Sequence, residues 1–189
     1  MADTEMHFSN KESRSIYIGQ NIDPADGQRI CRMIHEIAIE TDKPIYLWIN
    51  CYGGITSESL AIIDTMRAVP NKTIAIGQGA VHSMAVAIFA SADKRLLMPK
   101  TYLMLHEFWT KFDDKVTHTK IVEGMEKAKR LMDWFAEVLA ESSKNKDPAF
   151  WREQMVPTSN YLFPEDALRL GLADEVLTDL STILGDIKS

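Results

Sequence analysis

Cysteine is scarce in this chain. Cys31 and Cys51 are the only two in 189 residues, too few and too irregularly placed for a disulfide framework. A reducing compartment is therefore the expectation. No apolar run reaches the roughly 20 residues that a membrane-spanning helix needs. The first residues, MADTEMHFSNKESRS, carry no apolar core of a secretion signal. Positive charge is in deficit: 21 Lys and Arg stand against 27 Asp and Glu, a net charge of −6. A nucleic-acid surface needs clustered cations, so that class of partner is excluded. No H-E-x-x-H occurs, and His35, His82, His106 and His118 show no ligand spacing, so neither a metal nor a cofactor is expected. There is no internal repeat and no low-complexity tract. Together these absences predict a soluble cytoplasmic protein with no membrane partner.

What is present reads as one α/β domain. Residues 1–14 are polar and are expected to be flexible; residues 15–189 form the domain. Ser15 to Gly19 predicts a short strand. Asp23-Pro24 predicts a helix start, and Ile30, Met33, Ile34, Ile37 and Ala38 repeat at helical spacing. Pro44 to Asn50 (PIYLWIN) is almost wholly apolar, the pattern of a strand buried on both faces of a parallel sheet. A helix over Ile55 to Val69 follows, capped by Thr56 or Ser57. A third strand spans Thr73 to Ile76, a small-residue helix Ser83 to Ala90, and two more strands Arg95 to Met98 and Tyr102 to His106. This alternation implies right-handed crossovers in a parallel sheet. Glu107 to Thr117 reads as an irregular linker. Thr117 to Ser143 then predicts a long helix. Its Ile121, Met125, Ala128, Met132, Phe135 and Leu139 make a coiled-coil-like seam. Short helices begin at Asp147-Pro148 and at Pro164, the latter stopped by Gly171. A last strand, Glu175 to Leu177, precedes a polar tail.

Three features sit at carboxyl ends of predicted parallel strands, where α/β sheets place their sites. Gly53-Gly54 lets backbone amides approach a ligand and donate to a developing oxyanion. Ser83, at a helix start, is either a cap or a nucleophile beside the Met84 amide. His106 ends a strand and can serve as a base. Gly77-Gln78-Gly79 lacks the third glycine of a dinucleotide fingerprint, because His82 stands in its place.

The order YLWINCYGG, LAIIDTM, TIAIGQGAVHSMA, LMPKTYLMLHE and FPEDALRLGLADEV resembles the ClpP-type serine peptidases from about Ser15 to Leu177. Part of it is similar to the phage head-protease branch. The resemblance implies the ClpP/crotonase-like superhelix of β-β-α units, with a projecting handle at about 117–143. It further implies heptameric rings, stacked into tetradecamers, that hydrolyse unfolded polypeptides, with an AAA+ unfoldase and other ClpP-type subunits as partners. Carried over by motif, His106 is the base, and Gly53, Gly54 and Met84 supply the oxyanion site. The family pattern G-x-A-A-S-M-G, counted from Gly77, puts the nucleophile at Val81; two extra residues put it at Ser83, which Ser-Met-Ala favours. The family acid precedes an aromatic and Leu; here that stretch offers only Asn160 or Ser159, an orienter without charge. Asn-Cys-Tyr-Gly-Gly replaces Asn-Ser-Pro-Gly-Gly. Two rival readings follow: a catalytically weak ring subunit assembling with active ones, and a crotonase-type acyl-CoA enzyme.

Overall fold

A computed structural model describes residues 7–108, 115–156 and 159–188. In chain order the elements are β1 (His7–Asn10), β2 (Ser15–Ile22), α1 (Asp26–Ala38), β3 (Ile45–Gly54), α2 (Thr56–Ala68), β4 (Thr73–His82) and α3 (Met84–Ala90). After them come β5 (Lys94–Leu97), β6 (Tyr102–Leu105), α4 (His118–Ser142), α5 (Pro148–Glu153), β7 (Asn160–Leu162), α6 (Pro164–Leu170), β8 (Glu175–Val176) and α7 (Ser181–Lys188). The sheet runs β1-β2-β3-β4-β5-β8, with β6 on β4 and β7 on β6. All of the β2 to β5 pairings are parallel, as are β4 with β6 and β5 with β8; β1 and β7 add antiparallel margins. The fold is therefore α/β, as the alternating pattern predicts.

Strand β3 explains its own composition. Ile45, Leu47 and Ile49 face the main core with Ile30 and Ile34 of α1, Ile62 of α2 and Phe89 of α3. Tyr46 and Trp48 face the opposite side with Ile76, Leu96, Leu177 and Ile183. Both faces are covered, so the strand has no polar face to show. Ile183 belongs to α7, which occupies the stretch that reads as a polar tail. Its apolar residues are too few for a periodic signal, but they find the sheet's second face.

Strand β4 changes partner halfway. Ile74 to Gly77 pair with β5, and Ala80 to His82 pair with β6. Against β3 the register moves from Ile49↔Gly77 to Cys51↔Val81, so β4 spends two more residues than β3 over this step. Gly77 O accepts from Met98 N at 2.9 Å and Thr101 Oγ1 at 2.8 Å. Gly79 adopts φ +60°, and Asn50 Oδ1 accepts from Ala80 N at 3.1 Å. A left-handed residue wedged against Asn50 is a place for glycine. The strand consequently continues through the glycines to His82, beyond the end at Ile76 that its β-branched run suggests.

Some local expectations shift. Helix α1 starts at Asp26, because the Asp26 carboxylate accepts from Asp23 N at 2.7 Å and closes the Asp23–Asp26 turn first. Helix α2 is preceded by Ile55, with no side-chain cap from Thr56 or Ser57. Within the segment expected to be flexible, His7–Asn10 form a strand. His7 Nε2 there lies 3.0 Å from Asn21 O and 3.2 Å from the Asp26 carboxylate. Most of the linker from Glu107 to Thr117 lies outside the described residues.

Helix α4 splits the predicted seam in two. Phe135 and Leu139 are buried in the core, and Met132 packs against it. Met125, two turns earlier, is 62% exposed, with Val122 also exposed. The C-terminal half is thus a core helix and the N-terminal half carries an uncovered apolar stripe. Trp151 of α5 anchors the end of α4: its buried indole donates to Ser143 Oγ at 3.1 Å and Asn145 O at 2.9 Å. Trp151→Ala is expected to cost about 3–5 kcal/mol, read as a lowered urea midpoint with unchanged slope.

Candidate active site

The site forms where β3, β4 and β6 end together, under the exposed half of α4. Ser83 follows β4 with φ 53° and ψ −128°, an unfavourable backbone for a residue with a side chain. Two bonds hold it there: its N–H donates to Met104 O of β6 at 2.7 Å, and its carbonyl accepts from Val86 N at 2.9 Å. The hydroxyl makes no capping bond to α3, so the common structural role of a serine before a helix is not the one Ser83 has. Val81 is wholly buried in β4, opposite Cys51 and Leu103. The two extra residues of β4 are what carry Ser83, rather than Val81, to the strand's mouth.

Gly53 packs directly on Ser83. Its φ is +84°, and a Cβ there would stand 2.7 Å from His82 O, 2.8 Å from Ser83 Cβ and 2.9 Å from Met84 N. Only a glycine lets the β3 turn touch the Ser83 backbone and the first amide of α3 at once. Gly53 N donates to Cys51 Sγ at 3.3 Å, so this amide is already engaged inside the turn. Ser83, Met84, Gly53, Gly54 and His106 line one cavity of about 510 Å³. Tyr52, Thr56 and Phe108 extend its walls, and α4 closes it with Gly124, Lys127, Ala128 and Leu131.

His106 immediately follows β6 and is partly exposed. Its Nδ1 lies 2.6 Å from Glu107 O. An N–H donated to that carbonyl fixes the proton on Nδ1 and leaves Nε2 as the basic nitrogen. Asn160 lies on β7 opposite Leu105, the residue before His106. Its Nδ2 donates to Gln154 Oε1 at 2.9 Å, and it does not line the cavity. Ser159 is exposed. The structure thus gathers Ser83, His106, Gly53, Gly54 and Met84, with Asn160 one strand away. Among the described residues no group of three or more His, Cys, Asp or Glu could hold a metal ion.

Two buried groups beside the site are kept neutral. His82 packs against Tyr52 and Tyr102, with ring centroids 5.4 Å and 5.0 Å away. Its Nε2 finds no hydrogen-bond partner among the described residues. Burial lowers its pKa, and nearby His106 lowers it further. In acid the unfolded chain binds this proton first, so the folded state loses stability as pH falls through the ordinary imidazole range. Cys51 is fully buried, and burial pushes its thiol up to about 11. Neither residue announces itself in sequence, since a single His or Cys at a strand end carries no pattern. The α4 wall is equally hidden: Gly124, Lys127 and Leu131 flank Ala128 of the apolar seam at helical spacing. At pH 8, iodoacetamide should modify half-buried Cys31 ahead of Cys51, and Cys51 only after unfolding, as read by peptide mass spectrometry. Above pH 9, where the unfolded Cys51 thiol ionises, stability should decline until about pH 11.

The chain is similar to known proteins in sequence and in fold. The chain is 27% identical over 172 residues to ATP-dependent Clp protease proteolytic subunit 2 of Pseudomonas aeruginosa, covering 87% of this chain and 81% of that one. It is 27% identical over 188 residues to the subunit of the same name from Leifsonia xyli, covering 94% and 80%. Among solved structures, an asparagine-to-aspartate mutant of ClpP1 from Listeria monocytogenes superposes with a TM-score of 0.81 at 18% identity, over 92% of this chain and 96% of that one. The sequence profile described as Clp protease matches residues 5–179. The chain belongs to the Clp protease family.

Proposed function

We propose that this chain is a ClpP-like serine endopeptidase subunit, hydrolysing peptide bonds of unfolded polypeptides inside a ring-shaped chamber. The observation that carries the proposal is the shared cavity in which Ser83, His106 and the Gly54 and Met84 backbones meet. Ser83 Oγ attacks the peptide carbonyl and passes its proton to His106 Nε2. The protonated imidazole then gives that proton to the leaving amine, and water releases the acyl group by the same route in reverse. Gly54 and Met84 amides stabilise the tetrahedral oxyanion. Gly53 serves as the close-contact spacer, since its own amide is held by Cys51 Sγ. The Glu107 carbonyl orients His106 through Nδ1, and Asn160 steadies the end of β6 through strand pairing.

Members of this family assemble as rings, and the exposed stripe of Val122 and Met125 on α4 suits burial against another subunit. The chain is proposed to form heptamers or stacked double heptamers in the cytoplasm, served by an AAA+ unfoldase. Among the described residues no helix is long and apolar enough to cross a membrane.

A second reading is a weak or silent ring subunit mixed with active ClpP-type subunits. It is favoured by the uncharged Ser159, aligned with the family's acid, and by its neighbour Asn160, whose amide is tied to Gln154. A fluorophosphonate probe with intact-mass readout separates the two. Single labelling that disappears in Ser83→Ala marks the enzyme, and a well-formed ring that stays unlabelled sinks it. Acyl-CoA binding by calorimetry would instead revive the crotonase-type alternative. Light scattering at micromolar concentration should give heptamers or double heptamers; a monomer would overturn the assembly.

A further inference from the structure

Lys127 stands in the candidate cleft in a way that catalysis does not require. Helix α4 presents Gly124, Lys127, Ala128 and Leu131 to the cavity, residues spaced by three, four and seven along one helical face. Gly124 and Ala128 are small, so this part of the wall recedes and leaves room for a substrate side chain. Leu131 and Phe108 make the remainder apolar. Lys127 is the one lining residue with a fixed charge, and no carboxylate lines the cavity among the described residues. Lys127 also borders the outer groove of α4, where Glu123, Glu126 and Asp133 lie. It makes no ion pair with any of them among the described residues. Its ammonium is therefore available at the rim of the cleft.

We propose that Lys127 is a specificity-determining residue that selects peptide segments in which an Asp or Glu neighbours an apolar residue. The proposal rests on the reading of this cavity as a peptide-binding cleft. The apolar side chain enters the recess between Phe108 and Leu131, and the adjacent carboxylate meets the Lys127 ammonium at the rim. A cation beside an apolar wall discriminates by charge sign, because a basic substrate residue there is repelled while an acidic one gains a partner. The pair remains near solvent, so the gain has the size of an exposed ion pair and is screened by salt.

The test uses the Ser83→Ala chain, which binds without cleaving. Fluorescent peptides with a central Leu carry Glu, Gln or Lys at each neighbouring position in turn, and anisotropy gives each Kd. At one position or more, Glu is expected to bind about threefold to fivefold tighter than Gln, the range an exposed charge pair supplies. That advantage shrinks in 1 M salt and disappears when Lys127→Gln is added. With Lys127→Glu it inverts to favour the Lys peptide. Equal binding of Glu and Gln peptides at every position overturns the proposal, as does an acidic preference that survives Lys127→Glu or a failure to bind any peptide. Fluorophosphonate labelling of the unmutated chain is run in parallel. Labelling without acidic preference removes Lys127 and keeps the peptidase. Acidic preference without labelling keeps Lys127 as a binding determinant and removes hydrolysis.

Discussion

The molecule depends on one irregularity, the step in β4 between Gly77 and Val81 where the strand outruns β3 by two residues. Upstream of it β3 and β4 pair in even register from Ile45↔Thr73 to Ile49↔Gly77. Downstream, β4 abandons β5 for β6, and the exchange brings Met104 O within 2.7 Å of Ser83 N. That single bond ties the serine's backbone to β6, the strand that His106 immediately follows. Without the extra length, buried Val81 would be nearer the position of Ser83, and a hydroxyl and an imidazole would not share a cavity. Asn50 holds the step by accepting from Ala80 N, so the residue that closes β3's straight portion also sets the irregularity of its neighbour.

The site built on this step has a dry side and a wet side. Behind Ser83 lie a thiol and an imidazole that burial keeps uncharged. In front lies a cavity open enough for a peptide, walled by a helix whose other half is core. Among the described residues no carboxylate lines this cavity, and its one fixed charge is the exposed Lys127.

Much of the fold is legible in the sequence, because long segments obey one period. PIYLWIN declares a doubly buried strand, and both faces of β3 are indeed covered. The 3.6-residue spacing in α1 and the seam of α4 likewise mark real helices. What escapes reading is whatever depends on pairing rather than period. Strand β1 exists because His7 finds Asn21 and Asp26, residues distant in sequence. Helix α7 exists in part because Tyr46 and Trp48 leave an apolar face to cover. The motif order singles out Ser83, His106 and the glycine pair, and they meet in one cavity. The choice between Val81 and Ser83 is not readable locally, since it turns on a register between two strands. The engagement of Asn160 with Gln154 is hidden for the same reason.

Arg14 shows a different kind of permanence. Its guanidinium is buried and donates to four carbonyls, those of Ile37, Thr41, Lys43 and Pro44, with no carboxylate among them. Asn71 reinforces two of the same carbonyls from the other side. The cation is thus solvated by peptide dipoles, as an ion is by a rigid solvent shell. A titratable partner would let acid loosen this clamp, and an exposed one would let ionic strength loosen it. With neither, the irregular loop between α1 and β3 is held by bonds from Arg14 and Asn71 to its own carbonyls. The edge of the sheet is moored at Arg14 by a charge that stays fixed, while its outermost strand is held through His7, 3.0 Å from Asn21 O.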